Sequence, residues 1–234
     1  MSQNMHASRK FWLYMSFVGP AAVFFFLVFV IPLVYGIYLT LTDWDGIAVQ
    51  MHFVGSANYL SVLTDGSFWN SMGRTIVYSC ISVIAINLIA FGLAYLLTSG
   101  IKGQNFLRAG FFTPNLIGGL ILGYIWQFMF SRVFVSIFSH IPATIFQRSW
   151  LSSPHTAMAA MIIVTTWQYS GYMLLIYIAG FVGIPKDLLE AARIDGASEQ
   201  VVTRKIRLPL MVPSIVISLF LSITRTFKVY DVNL

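Results

Sequence analysis

A chain of 234 residues that is 58% hydrophobic, 16% aromatic and only 9% charged, with a mean hydropathy of +0.79, carries more apolar surface than a soluble domain of this length buries. It is read as membrane-embedded. The net charge of +6 has no water-exposed basic domain to occupy, which excludes a nucleic-acid footprint, and the single cysteine excludes an internal disulfide framework.

In chain order, the first predicted span is Phe17–Leu39, preceded by Arg9-Lys10 and containing Pro20 and Pro32 as points of kinking. Its apolar run outlasts the roughly 7–15 residues of a signal-peptide core and lacks a small-x-small cleavage site, so it reads as an uncleaved span. An outer loop follows, and then spans at Thr75–Leu97, Ala109–Phe130, Thr156–Phe181 and Leu208–Ile223. Each is taken as a helix crossing about 30 Å of hydrocarbon, where backbone polar groups have no water to satisfy them. The fifth is the shortest and extends through Arg225–Leu234 if those polar residues face protein or water. None shows the period-2 alternation of a membrane barrel. In the second span Cys80 reads as a small core residue, and Pro114-Asn115 with Gly118-Gly119 predicts a local break early in the third.

The basic residues set the orientation. With the N-terminus in the cytoplasm, the inner segments hold Arg9, Lys10, Lys102, Arg108, Lys186, Arg193, Arg204, Lys205 and Arg207. The outer segments hold Arg74, Arg132 and Arg148 beside Asp43, Asp45 and Asp65, and they place Trp44, Trp69 and Trp150 near the outer interface. His6, His52, His140 and His155 are too scattered to share a metal, and no phosphate-cradling loop, nucleophile elbow or intramembrane carboxylate pair is evident. No catalytic residue, metal or cofactor is expected, and the chain is read as not an enzyme.

One polar island interrupts this apolar chain. Between the fourth and fifth spans lie Glu190-Ala191-Ala192, then Asp195-Gly196-Ala197 after two residues, and then Ile206, Leu208, Pro209 and Pro213. Pro185 is suited to a first helical turn, Asp187 and Glu190 to the positive end of a helix dipole, and Gly196 to a left-handed helix end. Ser198 is placed to cap a second helix carrying Arg204, Lys205 and Arg207 near its end. A helix, glycine turn and helix are therefore expected. Leu188, Leu189 and Ala192 would form an apolar strip beside Glu190, with the two alanines giving a low surface for a partner.

The spacing of Glu-Ala-Ala, Asp-Gly-Ala and Ile-x-Leu-Pro resembles the cytoplasmic loop of permease subunits of type I ATP-binding-cassette importers, and the wider chain is similar to their carbohydrate-uptake subfamily. The resemblance implies an all-α polytopic membrane protein of the type I importer permease (MetI-like) fold, with five spans present of an expected six. Residues 1–70 would form the cytoplasmic N-terminus, first helix and outer loop. Residues 71–234 would form an incomplete permease core, with 182–207 as the coupling loop. It further implies that Glu190, Ala191, Ala192, Asp195, Gly196, Ala197, Leu208 and Pro209 belong to a site where the motion of separate ATPase subunits enters the membrane. Glu190 would meet a basic group on the ATPase, the alanines would allow close packing, Gly196 would supply the turn and Asp195 a turn or cap.

The implied partners are two ATPase subunits, a second permease forming a heterodimer, an extracytoplasmic solute-binding protein and membrane lipid, with no nucleic acid. The implied location is the bacterial or archaeal cell membrane, with the N-terminus and the Glu190 loop cytoplasmic. The expected cargo is a sugar or oligosaccharide, with glycerol phosphate or another polar solute as the alternative and an ion-coupled secondary transporter as a further class. Polar groups within spans face the bundle interior more often than lipid, so Asn87, Asn115, Gln127, Gln168 and Tyr172 are candidates for lining a pathway. Arg225, Lys228 and Tyr230 join them at the polar end of the fifth span. Each is equally compatible with interhelical hydrogen bonding or an interfacial position.

Overall fold

The computed structural model describes residues 2–48, 50–138 and 148–228, with side chains from Trp12 onward. The described residues are almost entirely helical. Five helices are long and apolar enough to cross a membrane: Trp12–Leu39, Gly66–Leu97, Gly119–Phe138, Pro154–Val182 and Glu199–Phe227. The chain divides into two compact units, Met1–Met72 and Gly73–Leu234.

In the first unit, α1 (Ser2–Phe25) and α2 (Ile31–Leu39) are joined by a π-turn over Phe26–Val30, closed by the Ile31 N–H bonding to the Phe26 carbonyl. Pro32 accounts for the widening. It lacks an N–H, and its ring would press on the carbonyl four residues back, so the turn before it opens. Apolar side chains cover every face of this helix and none is buried within the chain, as suits a helix surrounded by lipid or partner.

The loop after the first span folds on itself. Thr42 and Phe53 form an antiparallel bridge, and the Asp43 carboxylate accepts the His52 N–H at 2.7 Å and lies 3.2 Å from its ring Nδ1. Asp45 accepts the Ile47 and Ala48 N–H groups, and the Asn58 amide donates to the Thr40 and Thr42 carbonyls. A short helix, α3 (Ala57–Thr64), leads to α4 (Gly66–Leu97).

The second unit is built on α4, α8 (Pro154–Val182) and α11 (Leu208–Phe227). Ile86, Ala90, Ala94 and Leu97 of α4 are buried with Met173, Leu174, Tyr177 and Ile178 of α8 and Met211 of α11. Small residues bring these helices together, as packing inside a membrane requires when burial from water gives no drive. A methyl group on Gly180 would lie 2.5 Å from Ser214 Oγ, and one on Gly171 would lie 1.8 Å from the carbonyl oxygen of Phe111, in α5 (Gln104–Phe112). The Arg108 side chain of α5 donates to the Leu97 carbonyl at 2.9 Å and so satisfies the end of α4.

The expected third span, Ala109–Phe130, is corrected. α5 stops at Phe112, Thr113–Leu116 forms a 3-10 turn, and Gly118 is extended with ψ 137° before α6 (Gly119–Phe128) begins. Pro114 cannot donate to a continuing helix, and the chain is extended at Ile117 and Gly118, so the predicted break is complete and separates two helices. The span proper continues from α6 through a π-turn at Met129–Val133 into α7 (Phe134–Phe138). Its aromatic rings stack: Phe130 lies 5.2 Å from Trp126, 5.1 Å from Phe134 and 5.5 Å from Trp150 between ring centroids.

Two further expectations change. Cys80 is exposed on α4 and is not part of the core. The fifth span does not start at Leu208 but is continuous from Glu199, through α10 (Glu199–Val202) and a π-turn over Thr203–Arg207, into α11. Here Pro209 plays the part that Pro32 plays in the first span.

Candidate functional site

The polar island forms α9 (Lys186–Ile194), a glycine turn, and the foot of the fifth span. Pro185 stands just before the helix, at the capping position with ψ 127°, where its fixed φ still directs the entry. At the other end the Gly196 N–H bonds to the Arg193 carbonyl and the Ala197 N–H to the Ala192 carbonyl, at 3.0 and 2.9 Å. Gly196 has φ +74°. This pair of bonds around a left-handed glycine is a Schellman motif, with Asp195 as the last half-helical residue. Ser198 occupies the capping position of α10 but makes no side-chain cap bond.

Side chains divide around α9. Leu189 and Ala192 turn inward: Leu189 packs against the core cluster that includes the buried Ile184 just beyond α8, and Ala192 is buried. The expected strip of Leu188, Leu189 and Ala192 is therefore corrected: Ala192 is covered by its own chain and Leu188 is exposed. The outward face carries Asp187, Glu190, Ala191 and Ile194, spaced i, i+3, i+4, i+7. Ile194 is 86% exposed, and Glu190 has neither an ion pair nor a hydrogen bond through its carboxylate among the described residues. Leu208 is half-buried and Pro209 exposed at the start of α11, while Ala197 is half-buried in the turn.

Behind α9 lies a cavity of about 400 Å³, lined by Tyr95 of α4, Thr98 just after it, Phe181 of α8, and Arg193, Glu199 and Arg207. Glu199 bridges two arginines across it. Arg207 Nη1 donates to Glu199 Oε2 at 2.9 Å, and Arg193 Nη2 donates to Oε1 at 3.4 Å. The Arg207 guanidinium also lies over the Tyr95 ring, 5.7 Å from its centroid, and donates to Thr203 Oγ1. The Glu199–Arg207 leg lies within one continuous helix, whereas the Arg193–Glu199 leg exists only once the glycine turn brings the two residues together.

The candidates for a pathway are not gathered into one place. Asn87 is central to a network joining three spans. Its Oδ1 accepts from the Tyr177 hydroxyl and from Ser218 Oγ, both at 2.7 Å, and its Nδ2 donates to Ser222 Oγ at 2.9 Å and to the Val83 carbonyl. All four hydrogen-bonding capacities of the amide are met within the protein. Ser218 and Ser222, four residues apart on one face of α11, are the sequence signal that points to this network.

Gln168 is buried, with Nε2 3.4 Å from the Ile117 carbonyl at the break before α6 and Oε1 without a partner among the described residues. Asn115 is half-buried in the 3-10 turn, and Tyr172 packs at the edge of the main core. Gln127 is exposed and lines a cavity of about 460 Å³ with Tyr124, Ser131 and Ser149. The Arg225 guanidinium lies 5.4 Å from the centroid of the Tyr169 ring, and Lys228 is exposed at the end of α11. Tyr230 lies outside the described residues.

Residues 86–233 match the sequence pattern of the family described as "Binding-protein-dependent transport system inner membrane component". The chain is 41% identical to a probable starch degradation products transport system permease protein of Thermoanaerobacterium thermosulfurigenes, over 96% of this chain and 75% of that protein. It is 28% identical to a multiple sugar-binding transport system permease protein of Streptococcus mutans, over 95% of this chain and 77% of that one. Similarity at 29% extends to an sn-glycerol-3-phosphate transport system permease protein of Agrobacterium fabrum, over 84% and 67%. The fold resembles a chain in the crystal structure of a bacterial ABC transporter that imports the acidic polysaccharide alginate, with a TM-score of 0.79, 20% identity, and coverage of 97% of this chain and 77% of that one.

Proposed function

Because the chain belongs to the family of binding-protein-dependent transport system inner membrane components, and is thus a multi-pass permease of an ABC importer and not an enzyme, we propose that it couples ATP-driven motion to uptake of a sugar through α9. The observation that carries this reading is the outward face of that helix. A chain with few charges holds Glu190 there without an ion pair or carboxylate hydrogen bond among the described residues, beside an uncovered Ile194 and the small Ala191, on a helix ended by two backbone bonds. A carboxylate flanked by bare apolar surface suits a cleft with one basic group and an apolar wall on an ATPase subunit. Ala192 contributes from within by letting α9 lie close to its own core, and Asp195, Gly196 and Ala197 fix the turn. Leu208 and Pro209 direct the foot of the fifth span.

The basic residues support a cytoplasmic location for this face, with two ATPase subunits beneath, a second, different permease alongside and a solute-binding protein outside. The relatives support a saccharide cargo, and products of starch breakdown are the first class to test, with glycerol phosphate as the second. Family membership displaces the ion-coupled alternative. Gln168, Asn115, Gln127, Tyr172, Arg225, Lys228 and Tyr230 remain candidates for the pathway, whereas the saturated bonding of Asn87 supports a tie between helices.

The test is reconstitution of the importer in liposomes with its ATPase, companion permease and binding protein, supplied with radiolabelled maltooligosaccharides, other sugars and glycerol 3-phosphate. Glu190→Lys is expected to abolish co-purification of the ATPase while leaving the permease inserted. Unchanged uptake with that variant overturns the coupling role.

A further inference from the structure

The path from α9 to the fifth span contains two compliant points. One is the turn at Gly196, a residue whose backbone is freer than any other. The second is the π-turn at Thr203–Arg207, where the helix is widened ahead of Pro209 and departs from the regular α-helical bonding pattern. A displacement of a nine-residue helix against such a connection would be absorbed by bending at these points unless something bridges them.

Glu199 bridges both. Arg193 precedes the glycine turn and Glu199 follows it, so the Arg193–Glu199 contact spans the first compliant point. Glu199 precedes the π-turn and Arg207 closes it, so the Glu199–Arg207 contact spans the second. The two legs differ in strength. The Arg193 leg is long and exposed at both ends, whereas the Arg207 side chain is 15% exposed, stacked on Tyr95 and within 2.9 Å of the carboxylate. Tyr95 belongs to α4, so the clasp also refers the foot of the fifth span to the end of the second.

We propose that Glu199 is a positioning residue that makes the docking helix α9 and the fifth span move as one body, by clasping Arg193 and Arg207 across the glycine turn and the π-turn. The proposal rests on the coupling role of α9. Its signature is efficiency: loosening the clasp leaves docking and ATP hydrolysis in place and wastes hydrolysis.

The experiment measures ATP hydrolysed per solute imported by the full importer in liposomes. Glu199→Gln keeps the size of the side chain and removes its charge, and is expected to raise that ratio roughly threefold, with insertion and ATPase co-purification unchanged. Arg207→Gln is expected to match it, Arg193→Gln to have a smaller effect, and Arg193→Lys to restore the normal ratio. A ratio unchanged by both Glu199→Gln and Arg207→Gln overturns the clasp. Loss of ATPase co-purification with Glu199→Gln also overturns it, because the residue would then act in docking. Glu190→Lys separates the two levels: if it impairs docking while Glu199→Gln leaves the ratio unchanged, the clasp alone fails, and if it impairs nothing, the coupling role of α9 fails.

Discussion

Replacing Asn87 by leucine removes the amide that ties α4 to α8 and α11 while keeping a side chain of similar size. Three of its hydrogen bonds cross between helices, to Tyr177, Ser218 and Ser222. Interhelical hydrogen bonds in membrane proteins average about 0.6 kcal/mol each, so the expected loss is roughly 2 kcal/mol. Tyr177→Phe removes one bond and leaves the amide oxygen with Ser218, so its expected cost is about 0.6 kcal/mol, and the double variant should be less destabilised than the two single losses added together. Stability is read from SDS-induced unfolding of the purified chain followed by circular dichroism, and function from the KM of uptake for two saccharides of different length. The expected outcome is lowered stability with an unchanged preference between the saccharides. An Asn87→Leu protein of undiminished stability whose preference shifts would refute the tie and place Asn87 on the pathway.

Gly171→Ala drives a methyl group to 1.8 Å from the Phe111 carbonyl, a clash with backbone that only separation of α5 from α8 relieves. A cost of about 3 kcal/mol or more is expected, read as loss of folded protein in detergent. Gly196→Val meets no atom within 4 Å, so its effect is conformational: φ +74° suits a β-branched residue poorly, at more than about 1 kcal/mol. Uptake should fall while insertion persists, and Gly196→Asn should retain most of it. In the loop after the first span, the His52 backbone N–H and ring hold the Asp43 carboxyl below its ordinary range, as the Ala48 and Ile47 N–H groups do for Asp45. A depressed carboxyl supports the loop at all pH values above its unfolded pKa and loses that support as pH falls through the lower folded value. The protection of the Ala48 and His52 amides, measured as their exchange rate relative to the unfolded-chain rate at the same pH, should therefore hold at neutral pH and fall only below about pH 4, a window set by the carboxylates.

Where the sequence was legible, local chemistry decided the outcome. Four of the spans are marked by uninterrupted apolar length, and the end of α9 by a glycine that needs only its own left-handed conformation and two backbone bonds. The third span starts later than its apolar run suggests because the break that Pro114-Asn115 and Gly118-Gly119 predict is complete: hydropathy continues through a backbone that does not. Cys80 was misassigned for a related reason, since a helix that is apolar all round gives no period from which to choose the inward face. On α9 the alternation is visible, but which side faces the core depends on where α8 ends, and that placed Ala192 inside and Ala191 outside. Asn87, Tyr177, Ser218 and Ser222 could each be suspected alone; their union depends on the packing of three helices.

A helix of nine residues has little stability of its own in water, so the geometry of the α9 face comes from what holds it. Leu189 fastens it to the core that includes Ile184, the Schellman bonds end it, and the Glu199 clasp ties it forward to Arg207 and, through Tyr95, to α4. The inward contacts lie at the end of α8 and the clasp at the foot of α11, and those two helices meet again in the membrane where Gly180 admits Ser214. A force on Glu190 and Ile194 therefore acts on the junction of the fourth and fifth spans, and close packing further along leaves little room for one to slide without the other. Substitutions on the outward face should consequently alter partner binding, those on the inward face should alter both binding and stability, and those in the clasp should alter only how much of the motion reaches the membrane.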